Sequence, residues 1–204
     1  MSIAYYDQNA RPFFDDTAAA RVDDLHTRVL AHVPTGGRIL DAGCGSGRDA
    51  LAFHKAGYEV EAFDGSAAMV ALAREHTGLA VRQMRFEEVD GPDAFGGGFD
   101  LVWASASLLH VPRAELTATA ARLVGLLNPG GVLFASFKQG ETEREKNGRR
   151  FTDMTEPMLR AVFEALGLKV LDLWGGADAR PGREGERWVS AVGLTGGDPR
   201  SPLS

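Results

Sequence analysis

The chain has 204 residues, 44% of them hydrophobic and 25% charged, values of an ordinary globular domain and not of a disordered chain. A formal net charge of −6 argues against avid nonspecific nucleic-acid binding, and a single cysteine excludes an internal disulfide framework and a cysteine-based zinc knuckle. The longest uncharged apolar run, Leu101 to Val111, is far short of the roughly 20 residues of a membrane span, and Met1 to Tyr6 lacks a basic-then-apolar leader, so a cytoplasmic, membrane-free protein is expected.

In chain order, Ala18 to His32 reads as an amphipathic helix with Val22, Leu25, Val29 and Leu30 on one side. It precedes a strand-helix alternation and is expected to pack across the sheet edge or over the site. Arg38 to Asp41 is a short apolar run bounded by glycines, which suits a buried strand. Asp49 to Ala56 follows as a helix stopped by Gly57, and Val60 to Phe63 as a second strand. Ser66 caps a helix over Ala67 to His76, and Ala80 to Met84 is a third strand. Phe99 to Ala104 is a fourth strand, and Pro112 opens a helix that runs to Leu127. Val132 to Phe137 is a fifth strand, and Thr155 caps a helix to Leu166. Strands near Lys169 to Trp174 and Arg187 to Leu194 close the series. Strands separated by helix-length segments predict an α/β, doubly wound, mostly parallel sheet with its ligand site at the carboxyl strand ends. The expected division is a helical cap over 1–34, one domain over 35–195, and a flexible tail over 196–204.

The chemistry concentrates in Leu40-Asp41-Ala42-Gly43-Cys44-Gly45-Ser46-Gly47-Arg48-Asp49, where a strand ends in an acid and a helix follows alternating glycines. Such glycines let backbone approach a ligand, and the helix start offers free N–H groups. A dinucleotide fingerprint requires G-x-G-x-x-G, but the third glycine here comes one residue early and Asp41 would repel a pyrophosphate. Asp41 suits a cationic or amino ligand instead. Asp64 ends the next strand, where an acid takes ribose hydroxyls, and Gly65-Ser66 starts the helix after it. Together these select a nucleoside with an amino-acid-like tail, and S-adenosylmethionine is such a ligand.

Leu-Asp-Ala-Gly-Cys-Gly-Ser-Gly at 40–47, Phe-Asp-Gly-Ser at 63–66, Phe-Asp-Leu-Val-Trp at 99–103 and Leu-Asn-Pro-Gly-Gly at 127–131 resemble the successive motifs of class I S-adenosylmethionine-dependent methyltransferases. The order and spacing match over 35–137. Within that superfamily the chain resembles small bacterial single-domain enzymes of the tellurite-resistance type, and Tyr5 to Ala10 resembles the segment such proteins fold over the cofactor. The resemblance implies a Rossmann-like fold with an N-terminal helical segment over the site. It implies that Gly43, Gly45 and Gly47 line the methionine part, that Asp41 lies near its amino group, and that Asp64, with Gly65 beside it, holds the ribose. It places adenine near Met84, Arg85, Phe86 and Glu87, and has Trp103, Ala104 and Ser105 floor the methyl-donor site. Arg48 either pairs with the cofactor carboxylate or sits in solvent. The product would be S-adenosylhomocysteine.

Methyl transfer to an acceptor that must lose a proton calls for a base. His110, after the fourth strand, is the candidate, because an imidazole titrates near neutrality. The alternative is a histidine that bonds backbone and shapes the loop. The other histidines fall on predicted helices, and none has a partner at metal-ligand spacing. Cys44, inside the glycine loop, is placed for packing, which argues against covalent pyrimidine methylation. Ala104-Ser105-Ala106-Ser107 also lacks the acidic or Asn-Pro-Pro-aromatic signature of DNA amino-methylating enzymes. Tyr5 and Tyr6 either touch cofactor or acceptor or anchor their segment. Lys138 to Arg150 reads as a solvated loop or lid, within which Lys138, Arg149 and Arg150 are candidates to grip an anionic acceptor. The leading expectation is methylation of N, O or S on a small molecule. The alternatives are a tRNA-modifying methyltransferase and a noncatalytic cofactor-binding module.

Overall fold

The computed structural model describes residues 2–178, 180, 182–183 and 185–196. Of the tail expected over 196–204, all but Gly196 lies outside the described residues.

Helices α1 (Ser2–Gln8), α2 (Ala10–Thr17) and α3 (Asp23–Leu30) precede the alternation. The order then runs β1 (Arg38–Ala42), α4 (Arg48–Lys55), β2 (Glu59–Asp64), α5 (Ala67–Thr77), β3 (Val81–Gln83), β4 (Phe99–Ala104), α6 (Arg113–Val124) and β5 (Leu127–Lys138). It continues with β6 (Glu143–Lys146), β7 (Arg149–Thr152), α7 (Glu156–Ala165), β8 (Lys169–Ala177) and β9 (Arg187–Leu194). Seven strands form one sheet in the order β3-β2-β1-β4-β5-β9-β8. Strands β1 to β5 are parallel to one another, and β9 is antiparallel to both β5 and β8. The strand order reverses between β1 and β4, which puts the ligand crevice at their carboxyl ends.

Alternate residues of each central strand face opposite sides of the sheet. Leu40, Ala42, Val102, Ala104, Leu133 and Ala135 join one core, under α6 and α7 through Leu116, Leu123, Leu159 and Phe163. Ile39, Leu101, Trp103, Val132 and Phe134 join the other, with Val29 of α3 and Phe53 of α4. Both faces are therefore covered, which is why these strands read as continuous apolar runs. The side chains of Ser66 and Thr155 cap α5 and α7, accepting from Met69 N–H and Met158 N–H at 3.2 and 3.4 Å. Among the described residues no helix is long and apolar enough to cross a membrane.

Three expectations change. The helix expected over Ala18 to His32 is confined to Asp23–Leu30, where Asp23 and Asp24 complement the positive end of the helix dipole, and two further helices precede it. The helix from Pro112 ends at Val124, because Leu127 already pairs with Phe99 as β5. The stretch from Lys138 to Arg150 is not a solvated loop: it holds β6 and the start of β7, an antiparallel hairpin. Its turn residues Asn147 and Gly148 have φ of 52° and 73°. Asn-Gly with both angles positive is the preferred two-residue hairpin turn, so the signal was present in the sequence.

Candidate active site

The carboxyl ends of β1, β2 and β4 open into a cleft of about 1370 Å³, larger than the roughly 300–1,000 Å³ of a single small-molecule pocket. Helices α1 and α2 roof it. Asp7 accepts from Ser66 Oγ at 2.6 Å at the start of α5, and Ser2 Oγ accepts from Arg150 N–H at 3.1 Å on β7. Asp16 receives Arg180 at 3.1 Å and Arg183 at 2.8 Å, so the roof is tied on three sides.

At the carboxyl end of β2, Asp64 is held by backbone. Its Oδ2 accepts from Gly45 N–H and its Oδ1 from Ser66 N–H, both at 2.9 Å. Burial raises its pKa, and those N–H donors partly offset the shift. A carboxylate has about four lone-pair positions, so two remain for hydroxyl donors. Gly45 has φ of 53°, and a Cβ there would point toward Phe13 of the roof at 3.6 Å. Gly65, Met84, Arg85, Phe86 and Glu87 line the same end, with Phe86 edge-on to Phe63 at 5.6 Å.

Toward β1, Asp41 accepts from Ala50 N–H at 3.1 Å. Burial, then the neighbouring charge of Asp49, raises its pKa well above the usual carboxylate range, a cost that a cationic ligand would relieve. Asp49 itself escaped sequence reading. It receives Arg48 at 2.7 and 2.9 Å, His26 Nε2 at 3.0 Å and Trp103 Nε1–H at 2.9 Å. Burial works to raise its pKa, but the Arg48 charge and these bonds hold it below the usual range. Burial also pushes the Cys44 thiol well up, with Asp41 and Asp64 adding to the effect, so it is no thiolate.

At the other end, Ser105, Ala106 and Ser107 follow β4 into the cleft. Ala106 has φ of 53°, a left-handed conformation rarely taken by a residue with a Cβ. Its N–H donates to Ser136 Oγ at 2.9 Å, and Ser107 Oγ donates to Ala42 C=O at 2.6 Å. His110 Nδ1 lies 2.6 Å from Arg150 C=O and its Nε2 lies 2.8 Å from Tyr6 Oη. A carbonyl only accepts, so Nδ1 carries the proton and Nε2 accepts from the phenol. Burial lowers the His110 pKa to about 4, which corrects the expectation of an imidazole titrating near neutrality.

Several expected contacts lie elsewhere. Trp103 and Ala104 are fully buried in the two cores, with Trp103 stacked on Phe134 at 4.1 Å. Gly47 packs on α5, where a Cβ would meet Thr77 Cγ2 at 2.7 Å. None of the three lines the cleft. Tyr5 lines a smaller cavity behind it, whereas Tyr6 faces the cleft. Arg48, Lys138 and Arg150 line the cleft but are already neutralised. Lys138 pairs with Asp178 at 3.1 Å and with Glu186, and Arg150 with Glu143 and Glu145 at 3.7 and 3.9 Å. Arg149 also lines the cleft, its guanidinium 4.5 Å from the Tyr5 ring.

Residues 39–131 match the family model described as a methyltransferase domain. A ubiquinone biosynthesis O-methyltransferase from Xanthomonas axonopodis pv. citri is 37% identical over 108 residues, which cover 50% of this chain and 44% of that protein. The chain thus spans under half the length of this curated relative. Among solved structures, the 1,6-didemethyltoxoflavin-N1-methyltransferase of Burkholderia thailandensis, with S-adenosylhomocysteine bound, superposes with a TM-score of 0.75 at 22% identity, covering 96% of this chain and 86% of that one. A TehB-like methyltransferase from Corynebacterium glutamicum gives 0.67 at 22% identity, covering 95% and 98%. These two likenesses concern the fold. The methyltransferase-domain match runs from β1 into β5, the stretch that carries the glycine loop at the strand reversal, and covers just under half of the chain.

Proposed function

We propose that this chain is an S-adenosylmethionine-dependent methyltransferase acting on N, O or S of a small-molecule acceptor. The observation that carries the reading is Asp64, half-buried, fixed by two backbone donors and facing the cleft beside the positive-φ glycine Gly45. This arrangement fits a ribose, and the Asp41 carboxyl, lining the same cleft, is placed for an ammonium group. When bound, S-adenosylmethionine supplies an electrophilic sulfonium methyl group. Asp64 and Asp41 bind and orient, and Phe86 offers an apolar face for a base. Arg48, neutralised by its fork to Asp49, lines the cleft and fixes that carboxylate in place. Helices α1 and α2 exclude water over the cleft, and alignment with water exclusion is the main protein contribution to such a displacement.

His110 Nε2 holds a lone pair toward the cleft and is the group able to accept a proton from an acceptor hydroxyl or amine. Tyr6 occupies that lone pair and must yield or relay when an acceptor arrives. The cleft volume supports a cofactor and an acceptor side by side. The names of the relatives, O-methylation in one and N1-methylation of a small heterocycle in another, support a heteroatom on a small molecule. Calorimetric titration with S-adenosylmethionine and S-adenosylhomocysteine, with NAD as control, tests the cofactor. Labelled methyl transfer to small-molecule pools but not to tRNA is the expected result. Transfer to tRNA alone overturns the acceptor class, and tight cofactor binding without any transfer supports a noncatalytic module.

A further inference from the structure

Among the described cleft cations that are not solvent-exposed, Arg149 alone has no carboxylate within ion-pair distance. Lys138, Arg48, Arg144, Arg150, Arg180 and Arg183 each have one. Its hairpin carries acids, but Glu143 and Glu145 pair with Arg150, and Asp153 pairs with Arg144 at 2.6 Å. Arg149 is held by rings instead: its guanidinium lies 4.5 Å from Tyr5, 5.2 Å from Phe151 and 6.0 Å from Tyr6. Its Nε is buried without a hydrogen-bond partner. A half-buried guanidinium on aromatic faces is poorly hydrated and orientationally fixed, so little entropy is lost when an oxyanion docks on its fork. Arg149 also lies near both reacting-end groups, since its charge opposes protonation of His110 and eases ionisation of Tyr6.

We propose that Arg149 is an anion-recognising subsite, and that the methyl acceptor carries a compact oxyanion, carboxylate or phosphate, which docks there and presents its nucleophilic atom beside Tyr6 and His110. This rests on the methyltransferase reading and specifies its substrate class. Charge-assisted contacts of this kind change affinity about 10- to 100-fold.

The test uses the full chain and radiolabelled S-adenosylmethionine. A small-molecule extract is fractionated on an anion exchanger at pH 7, and each fraction is offered as acceptor. Labelled product is expected from retained fractions. Phosphatase treatment then tells phosphate from carboxylate, since only a phosphorylated acceptor is lost. With the active fraction, Arg149→Met should raise KM about 10- to 100-fold with a small change in kcat, and Arg149→Lys should restore part of it. Unchanged S-adenosylhomocysteine affinity by calorimetry shows that both variants are folded. Product from unretained fractions only, or an unchanged KM in Arg149→Met, overturns the subsite while leaving the methyltransferase reading standing. Product from no fraction overturns both.

Discussion

The Tyr6 phenol, carried on the first helix, donates to His110 Nε2 at 2.8 Å across 104 positions of sequence. The imidazole is fixed on its other side by Arg150 C=O at 2.6 Å. The roof and the floor of the cleft therefore meet at a defined tautomer, with the only lone pair of the ring directed inward.

Removing the phenol from this pair should affect turnover and not cofactor binding. Tyr6→Phe is expected to lower kcat about tenfold while S-adenosylhomocysteine affinity stays within about twofold, because the half-buried imidazole loses the hydrogen bond that orients it. Steady-state kinetics with calorimetry checks the split. Parallel losses in both would make Tyr6 part of the cofactor site.

The depressed pKa of His110 carries a stability signature. The unfolded imidazole titrates near 6.5 and the folded one near 4, so between these values only the unfolded chain binds the proton. The contribution is fully present above pH 6.5 and is lost as pH falls toward 4. Relative to His110→Gln, the wild type should lose roughly 2 kcal/mol between pH 7.5 and 4.5. Urea denaturation across that range measures it, and a constant gap between the two proteins would contradict the burial of the neutral ring. Turnover should correspondingly show no histidine titration near pH 6.5.

Asp64→Ala is expected to weaken S-adenosylhomocysteine binding by at least about tenfold while the chain remains folded, through loss of the charged acceptor for hydroxyl donors. Gly45 N–H loses its partner as well, so thermal stability should drop slightly. Calorimetry beside a melting curve separates the two effects, and an unchanged affinity would remove the ribose assignment.

Trp103 is expected to matter for stability alone. Trp103→Phe removes the indole donor to Asp49 and should cost about 1–3 kcal/mol, with cofactor affinity unaltered. Asp49→Ala leaves Arg48 without its counterion in a half-buried site and should cost more, roughly 3–5 kcal/mol. Chemical denaturation gives both values. A cofactor-affinity loss in Trp103→Phe would return that residue to the donor site.

Two glycines of one loop should behave differently. Gly45→Val places bulk on the cleft side, near Phe13, and should block ligand. Gly47→Ala forces a Cβ to within 2.7 Å of Thr77 at a φ of 74° and should destabilise the chain by about 1–3 kcal/mol. Melting temperature and cofactor affinity, measured together on each variant, distinguish the roles.

The sequence by itself determined the sheet and the glycine loop that follows β1. Apolar runs such as Ile39 to Ala42 and Phe99 to Ala104, broken by caps at Ser66 and Thr155, are local signals, because burial on both faces and capping each act within a few residues. The places of the Asp-Gly loop and of Asp64 at the ends of β1 and β2 were legible for the same reason: each is set by position relative to a strand end. The sequence also contained the Asn147-Gly148 turn, although the charged residues around it were read as a loop. Only the tertiary structure decided which side of β4 Trp103 takes, that Asp49 gathers Arg48, His26 and Trp103, and that Tyr6 reaches His110. It also decided which cations remain unpaired. Lys138, Arg149 and Arg150 look alike in sequence, but carboxylates from β6 and the β8–β9 connection neutralise two of them and leave Arg149 among aromatic rings. Charge compensation depends on distances of a few ångströms between segments far apart in the chain, and composition and spacing do not encode those distances.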